Sequence, residues 1–173
     1  MQYIHHYISK LGRITLTSDG QALTGLWFED KSPSDKLPAK SHIEKDLPVF
    51  VQTDRWLDIY FSGKEPDFTP PLSVHGTAFR EMVWRILLTI PYGQTMSYGE
   101  IASVITARRS QASTVSGPDR PRMSAQAVGG AVGHNPISLI IPCHRVIGAD
   151  GSLVGYAGGL ERKKALLKLE EVL

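Results

Sequence analysis

Apolar and polar residues alternate over the first thirty positions of the chain, as in strands that bury one face. Strand-like runs separated by turn residues follow one another at positions 3–4, 13–17 and 23–28. Asp19-Gly20 lies between two of these runs and favours a hairpin. Positions 30–45 are polar and rich in Lys, Ser and Pro, so we expect a loop. The apolar spacing then becomes helical from Leu47 to Phe61, and Gly63 ends the helix.

A Pro-rich segment interrupts this pattern at Pro66, Pro70 and Pro71. We expect a domain boundary here, between an N-terminal domain of residues 1–72 and a C-terminal domain of residues 73–173. The periodicity beyond the boundary is mostly helical. The sequence therefore predicts an α+β protein with a small N-terminal sheet-plus-helix domain and a mainly helical C-terminal domain.

Two helices are predicted at the start of the second domain. Apolar residues recur at helical spacing over positions 78–90, and Pro91 with Gly93 stops the helix. Ser97 and Glu100 have the spacing of a capping box, which predicts a short helix through Ile105.

The following segment, residues 106–122, has four arginines and few apolar residues, so we expect an exposed loop. Its arginines could contact phosphates or could be solvated. Ser124 can cap a helix over residues 125–132, which consists mainly of Ala and Gly and could be approached closely by another backbone.

Three elements are predicted for the remainder of the chain. Ser138 is followed by three apolar residues, which predicts a short buried strand over residues 138–141, and residues 148–151 predict a turn. Gly158-Gly159 precedes an amphipathic helix that extends through Leu169.

Composition limits the class of protein. Of the 173 residues, 42% are apolar and 21% are charged, as in soluble globular proteins and unlike disordered or collagen-like chains. No apolar run approaches the ~20 residues that span a bilayer, and the first residues lack the features of a signal peptide. We therefore expect a cytoplasmic protein without membrane contact.

The single cysteine, Cys143, excludes an intramolecular disulfide and any metal site built from several cysteines. A zinc site of histidines and carboxylates remains open, although the six histidines lack HExxH-like spacing. No cofactor motif is visible. The net charge is +2, but it is unevenly distributed: residues 1–71 carry 8 basic and 10 acidic side chains, and residues 72–173 carry 11 and 7. A polyanion would therefore dock on the second domain.

Cys143 follows an apolar run and precedes two basic side chains, His144 and Arg145. A lone cysteine in such a place is often inert core. Cationic neighbours instead lower the pKa of a thiol and favour the nucleophilic thiolate. Adjacent residues of an extended strand point to opposite faces, so Cys143 and His144 can act together only if the chain turns or a water connects them.

The segment Pro142-Cys143-His144-Arg145-Val146 resembles the active-site signature of the O6-alkylguanine-DNA alkyltransferases, or methylated-DNA–protein-cysteine methyltransferases. Further segments occur in the family's order and extend the resemblance over nearly all of residues 76–171: residues 79–84, 93–100, 127–131, 135–136, 140–148 and 155–170. The N-terminal part resembles the family only in its predicted architecture, a small sheet with a helix.

The resemblance implies direct-reversal DNA repair. Cys143 would irreversibly accept the alkyl group of O6-alkylguanine, and of O4-alkylthymine, in a single turnover without a cofactor. His144 would act as the base toward Cys143 through a water, and Glu170 would orient His144. Without the resemblance, Glu170 would be interpreted as a solvated carboxylate at the end of a helix. Asn135 would brace the turn before the cysteine, or be an ordinary Asn-Pro turn residue. No metal ligand is implied.

Substrate contacts follow from the same resemblance. Tyr98 would donate a hydrogen bond to the purine as negative charge develops. Tyr156, Val146 and Ala157 would line the pocket, and many relatives have Ser in place of Ala157.

The partner implied is double-stranded DNA containing alkylated bases, bound by a monomer. The helices after Ser97 and Ser124 would form a helix-turn-helix whose second helix enters the minor groove while the target nucleotide is flipped out. DNA contacts would come from Arg80, Gly99, Gln126, Ala127, Gly130 and Arg145. Gln126 stands where the family usually has an Arg inserted into the base stack, and the connection over residues 106–122 is unusually long.

Two other functions remain open. A protein of the same fold could bind alkylated lesions without transfer, although such relatives have a bulky residue in place of the cysteine. A Cys-His hydrolase would use Cys143, His144 and Glu170 with repeated turnover, but no distinctive oxyanion-hole motif is visible.

Overall fold

The computed structural model describes residues 2–29, 42–112 and 123–173. Its N-terminal part is a four-stranded sheet of order β3-β2-β1-β4 with one helix, in which β4 is parallel to β1 and the other pairs are antiparallel. The elements are β1 (Gln2–Ser9), β2 (Gly12–Ser18), β3 (Leu23–Phe28), β4 (His42–Glu44) and α1 (Pro48–Phe61). The predicted strands and helix are confirmed. The short edge strand β4 lies in the segment that was predicted to be a loop.

The C-terminal part is mainly helical, so the predicted α+β class is confirmed. It contains α2 (Ala78–Leu87), β5 (Met96–Ser97), α3 (Tyr98–Ala112), α4 (Ala125–Gly133), β6 (Val146–Ile147) and α5 (Leu160–Leu169). Strands β5 and β6 form a small parallel pair, which brings the start of α3 beside the chain that follows Cys143. No helix in the described ranges is long and apolar enough to cross a membrane.

Side chains cap α3 and α4 as predicted. The Glu100 amide donates to Ser97 Oγ at 3.1 Å, and the Ser97 amide donates to Glu100 Oε2 at 2.6 Å. Ser124 Oγ accepts from the Ala127 amide at 3.1 Å. These bonds satisfy backbone donors that would otherwise lack partners at the helix N-termini.

Helix α3 continues past the predicted end at Ile105, so residues 106–112 are helical rather than part of a loop. The extension lacks apolar periodicity, which is why the pattern missed it. Its Thr and Ser hydroxyls donate to carbonyls one turn earlier, Thr106 to Ala102 and Ser110 to Thr106. Residues 113–122, with two of the four arginines, lie outside the described ranges.

The predicted strand over residues 138–141 is wrong, because the chain turns there. The Ile141 amide donates to the Ile137 carbonyl at 3.1 Å, and Leu139 has a φ of 69°. The apolar residues are buried, but by a compact turn. Short apolar runs do not distinguish the two.

This turn is bonded to the N-terminal sheet. The Leu26 amide of β3 donates to the Pro136 carbonyl at 2.9 Å, and the Ser138 amide donates back to Leu26 at 2.9 Å. Helix α4, which precedes this turn, is anchored to α2 by Trp84, whose indole donates to the Ala131 carbonyl at 3.0 Å. The segment that leads to Cys143 is therefore fixed by both parts of the chain.

Two glycines with positive φ allow a matched test of how closely the chain after α2 approaches the end of α5. Gly93 (φ 73°) would carry a Cβ 3.2 Å from the Glu170 carbonyl, whereas the nearest atom to a Cβ on Gly63 (φ 82°) is Leu169 Cδ1 at 3.8 Å. A left-handed conformation costs an L-residue about 1–2 kcal/mol. We expect Gly63→Ala to lower the free energy of unfolding by about that amount and Gly93→Ala to lower it more, because it also meets backbone. Denaturant unfolding measures both, and equal losses would contradict the close approach.

Candidate active site

Cys143 begins a 3-10 helical turn, Cys143–Arg145, and is 4% exposed. Pro142 precedes it, and the Cys143 amide donates to the Ile141 carbonyl at 2.8 Å. Because the segment is a turn, the alternation of an extended strand does not separate Cys143 from His144.

Asn135 spans the turn before the cysteine. Its Nδ2 donates to the Ile141 carbonyl at 2.8 Å, and its Oδ1 accepts from the Ile137 amide at 3.0 Å. The same side chain lowers the pKa of the Cys143 thiol and so partly offsets the effect of burial. Asn135 therefore both closes the turn and favours the thiolate.

His144 is fully buried, and its Nε2 lies 2.6 Å from Glu170 Oε1. An ionised carboxylate only accepts, so the proton of the neutral imidazole is on Nε2 and Nδ1 is an acceptor. Nδ1 is also buried, and it has no partner among the described residues. A base with a free acceptor nitrogen is thus one residue from the thiol.

Glu170 accepts from three further residues. Arg145 donates to it through Nε at 2.9 Å and Nη2 at 3.1 Å, and the Gly93 amide donates at 3.2 Å. Tyr60 of α1 donates to Oε1 at 2.7 Å. The sequence did not indicate Tyr60 or Gly93 as site residues, because both lie far from Cys143 along the chain.

Arg145 is turned inward, which does not support its expected contact with DNA. Besides Glu170, its Nη1 donates to the Ile90 carbonyl at 2.7 Å, and its guanidinium lies 5.7 Å from the centre of the Tyr92 ring. The residue is 8% exposed. Its charge is used to neutralise the buried carboxylate.

These contacts set the charge states of Cys143, His144 and Glu170, which together are called the relay below. Burial by itself would raise the pKa of Glu170, but the hydrogen bonds from His144 and Arg145 and the charge of Arg145 hold it at about 2. Burial lowers the pKa of His144 and outweighs the opposite effect of Glu170. Burial likewise raises the pKa of Cys143 despite Asn135 and Lys163. The resting state is therefore a thiol, a neutral imidazole and a carboxylate.

Lys163 is a buried cation that sequence reasoning missed. Its ammonium donates to the carbonyls of Val146, Val154 and Gly155, which joins the two ends of the loop after the cysteine. Burial lowers the pKa of Lys163 to about 8, partly offset by Cys143. The sequence signal for its burial was its helical spacing from Leu166, Leu167 and Glu170, which places all four residues on one face of α5.

Two of the expected pocket residues, Tyr98 and Tyr156, lie near Cys143. Burial, followed by the nearby thiol, raises the pKa values of both Tyr98 and Tyr156. Tyr98 Oη donates to the Val154 carbonyl at 3.1 Å, while Tyr156 Oη is buried without a partner among the described residues. Val146 is buried and Ala157 is exposed.

The expected DNA contacts other than Arg145 lie at the surface. Gln126, Ala127 and Gly130 form the exposed face of α4, opposite its buried Val128. Gly99 is exposed in the first turn of α3, and Arg80 is half-buried in the first turn of α2. No group of three or more His, Cys, Asp or Glu suitable for a metal ion occurs within the described ranges.

Comparison with known proteins covers both parts of the chain. Residues 78–172 match the DNA-binding domain of 6-O-methylguanine DNA methyltransferase, and residues 2–74 match its ribonuclease-like domain. The chain is 44% identical to the methylated-DNA–protein-cysteine methyltransferase of Mycobacterium tuberculosis, covering 94% of this chain and 88% of the relative. It is 40% identical to that of Haemophilus influenzae, covering 98% and 87%.

A solved structure of the Mycobacterium tuberculosis protein in complex with DNA superposes with a TM-score of 0.80 at 41% identity, covering 98% of this chain and 92% of that one. Fold, chain order and sequence thus agree over nearly the whole length. The chain belongs to the 6-O-methylguanine DNA methyltransferase family.

The ionised state of Glu170 makes stability depend on pH. Its pKa is about 2 in the fold against 4.5 for the free side chain, so the stabilisation is complete above pH 4.5 and is lost as the pH falls towards 2. Glu170→Gln removes the charge that neutralises Arg145. We expect the variant to be less stable than the wild type at pH 7, with the difference shrinking between pH 4.5 and 3. Urea unfolding at several pH values measures this, and a constant difference would contradict it.

Proposed function

We propose that this protein repairs alkylated DNA by direct reversal, with Cys143 as the acceptor of the alkyl group of O6-alkylguanine. The carbon–sulfur bond forms as the carbon–oxygen bond breaks, and the purine leaves as an anion that takes up a proton. The product is a thioether. Since the thioether has no route back to a thiol, each molecule acts once, which is consistent with the single cysteine of the sequence.

One observation carries this proposal: the buried thiol is next to a neutral histidine whose Nε2 is held by Glu170 and whose Nδ1 is a free acceptor. A water between Nδ1 and the thiol would carry the proton to His144 as the thiolate attacks. Asn135, which lowers the pKa of Cys143, would stabilise the developing thiolate. The high resting pKa of Cys143 explains why a base is needed.

The base would enter the pocket beside Tyr98, Val146, Tyr156 and Ala157. The hydroxyl of Tyr156 has no partner in the described part of the chain, so it is available to a ligand. Tyr98 would exchange its bond to the Val154 carbonyl for one to the purine as negative charge develops. The pocket's chemistry also suits O4-alkylthymine, which presents a comparable alkylated oxygen.

We further propose that a monomer binds duplex DNA containing alkylated bases. The small, exposed residues of α4 would let that helix approach the minor groove, with Gln126, Ala127 and Gly130 at the DNA and Arg80 and Gly99 near the backbone. All residues of the proposed relay come from one chain, so a second copy is not needed. In this scheme residues 73–173 hold the DNA and the acceptor, and residues 1–72 support them.

Lesion binding without transfer is not favoured. That function needs neither a thiol nor a base, yet here both are present and buried, and Glu170 holds the base in place. Hydrolysis with repeated turnover has no supporting observation.

Transfer can be measured by intact-mass spectrometry after incubation with an oligonucleotide containing one O6-methylguanine. We expect a gain of about 14 Da, one methylene, that saturates at one per chain and maps to the Cys143 peptide. Cys143→Ala should show no gain while retaining its fold and DNA binding. Uptake by this variant, or repeated turnover by the wild type, would overturn the proposal.

Gln126 allows a test of base flipping. Arginine at this position adds a charge and a planar group that can stack in the space left by the flipped base. We expect Gln126→Arg to speed the repair of duplex DNA several-fold and of single strands much less. Gln126→Lys, which adds the charge without the plane, is the matched control. Rates measured on both substrates decide the matter, and equal acceleration would refute the flipping argument.

A further inference from the structure

Tyr60 brings a hydroxyl from the N-terminal part into the middle of the relay. Its Oη lies 2.7 Å from Glu170 Oε1 and 3.2 Å from His144 Nε2, and those two atoms are 2.6 Å apart. The three polar groups therefore form a closed triangle. All three residues are at most 2% exposed.

The directions of the bonds follow from the charge states. Glu170 is ionised and only accepts, so the Tyr60 hydroxyl donates to it. The Nε2–H of His144 then points at Glu170 Oε1 with the lone pairs of the Tyr60 oxygen beside it. The hydroxyl thus helps to fix both the carboxylate and the imidazole whose other nitrogen is the proposed base.

We propose that Tyr60 is a positioning residue for alkyl transfer, through which the N-terminal domain takes part in the chemistry. This inference rests on the proposed function and deepens it. Tyr60 does not touch the alkyl group or the thiol; it acts by fixing the orientation of His144 and Glu170.

The packing of the Tyr60 ring is separable from the role of its hydroxyl. The ring stacks on Trp56 at 5.2 Å and contacts Phe61 and Tyr92 edge-on at 5.5 and 6.1 Å. Tyr60→Phe keeps these contacts and removes only the hydroxyl. Burial and the adjacent Glu170 raise the pKa of Tyr60, so the hydroxyl remains protonated over the working range of pH.

Tyr92 provides the matched control. It packs against the Tyr60 ring, but its own hydroxyl donates to the Leu169 carbonyl at 3.2 Å and contacts neither His144 nor the Glu170 carboxylate. Tyr92→Phe therefore removes a neighbouring phenol hydroxyl outside the triangle.

The experiment compares both full-length variants with the wild type. For each, three quantities are measured: the Kd for an O6-methylguanine duplex, the transfer rate at saturating duplex, and the rate of Cys143 alkylation by iodoacetamide. A hydrogen bond to a charged group corresponds to roughly tenfold or more in rate, and Glu170 keeps its other donors. We expect Tyr60→Phe to slow transfer about tenfold and iodoacetamide alkylation several-fold, with Kd unchanged, and Tyr92→Phe to match the wild type.

The outcomes separate the two proposals. If Tyr60→Phe lowers only the melting temperature and leaves both rates at the wild-type values, Tyr60 is merely structural and the inference is wrong. An equal loss of rate in Tyr92→Phe would also overturn it, because general loosening would then be the cause. If the wild type takes up no methyl group while Tyr60→Phe still slows iodoacetamide alkylation, the proposed function fails and the positioning role stands.

Discussion

A single buried carboxylate, that of Glu170, accepts hydrogen bonds from three separate regions of the chain: Tyr60 in α1, Gly93 after α2, and His144 with Arg145 in the 3-10 turn. A buried charge is tolerated only when it is paired and fully hydrogen-bonded. The requirement therefore acts on the whole fold, because each donor must arrive from its own element. Glu170 has its full set of donors only when α1 is packed against the C-terminal part, because Tyr60 comes from α1.

The same constraint determines what His144 can do. With Glu170 ionised and bound to Nε2, the imidazole is held in the tautomer whose Nδ1 accepts a proton. Arg145 neutralises the carboxylate, so the pair carries no net buried charge at rest. The thiol is kept protonated by burial. Charge would then be created only when a substrate gives the thiolate a carbon to attack, which limits reaction with other electrophiles.

Local signals in the sequence were enough to locate the helices, although not the full length of α3, and to find the capping residues and the strands with clear alternation. They failed where the structure depends on long-range contacts. The run over residues 138–141 is as apolar as a strand, but Asn135 and the edge of β3 hold it as a turn. Tyr60 and Gly93 are far from the cysteine along the chain, and only the folded protein brings their polar groups to Glu170. The resemblance implied that Arg145 contacts DNA, whereas in the structure its donors are bonded to the Glu170 carboxylate and the Ile90 carbonyl.

The relay and the expected pocket around Cys143 differ in a way that suits a single reaction. In the relay, both carboxylate oxygens of Glu170 are hydrogen-bonded and the groups are buried. On the side of the pocket, Tyr156 has an unused buried hydroxyl among the described residues and Tyr98 is tied only to a backbone carbonyl. Lys163 joins the two ends of the loop after Cys143 by donating to three carbonyls. The fold thus fixes the orientation of His144, the proposed base, whereas the hydroxyl of Tyr156 would gain a partner, and that of Tyr98 would exchange one, only when a substrate binds.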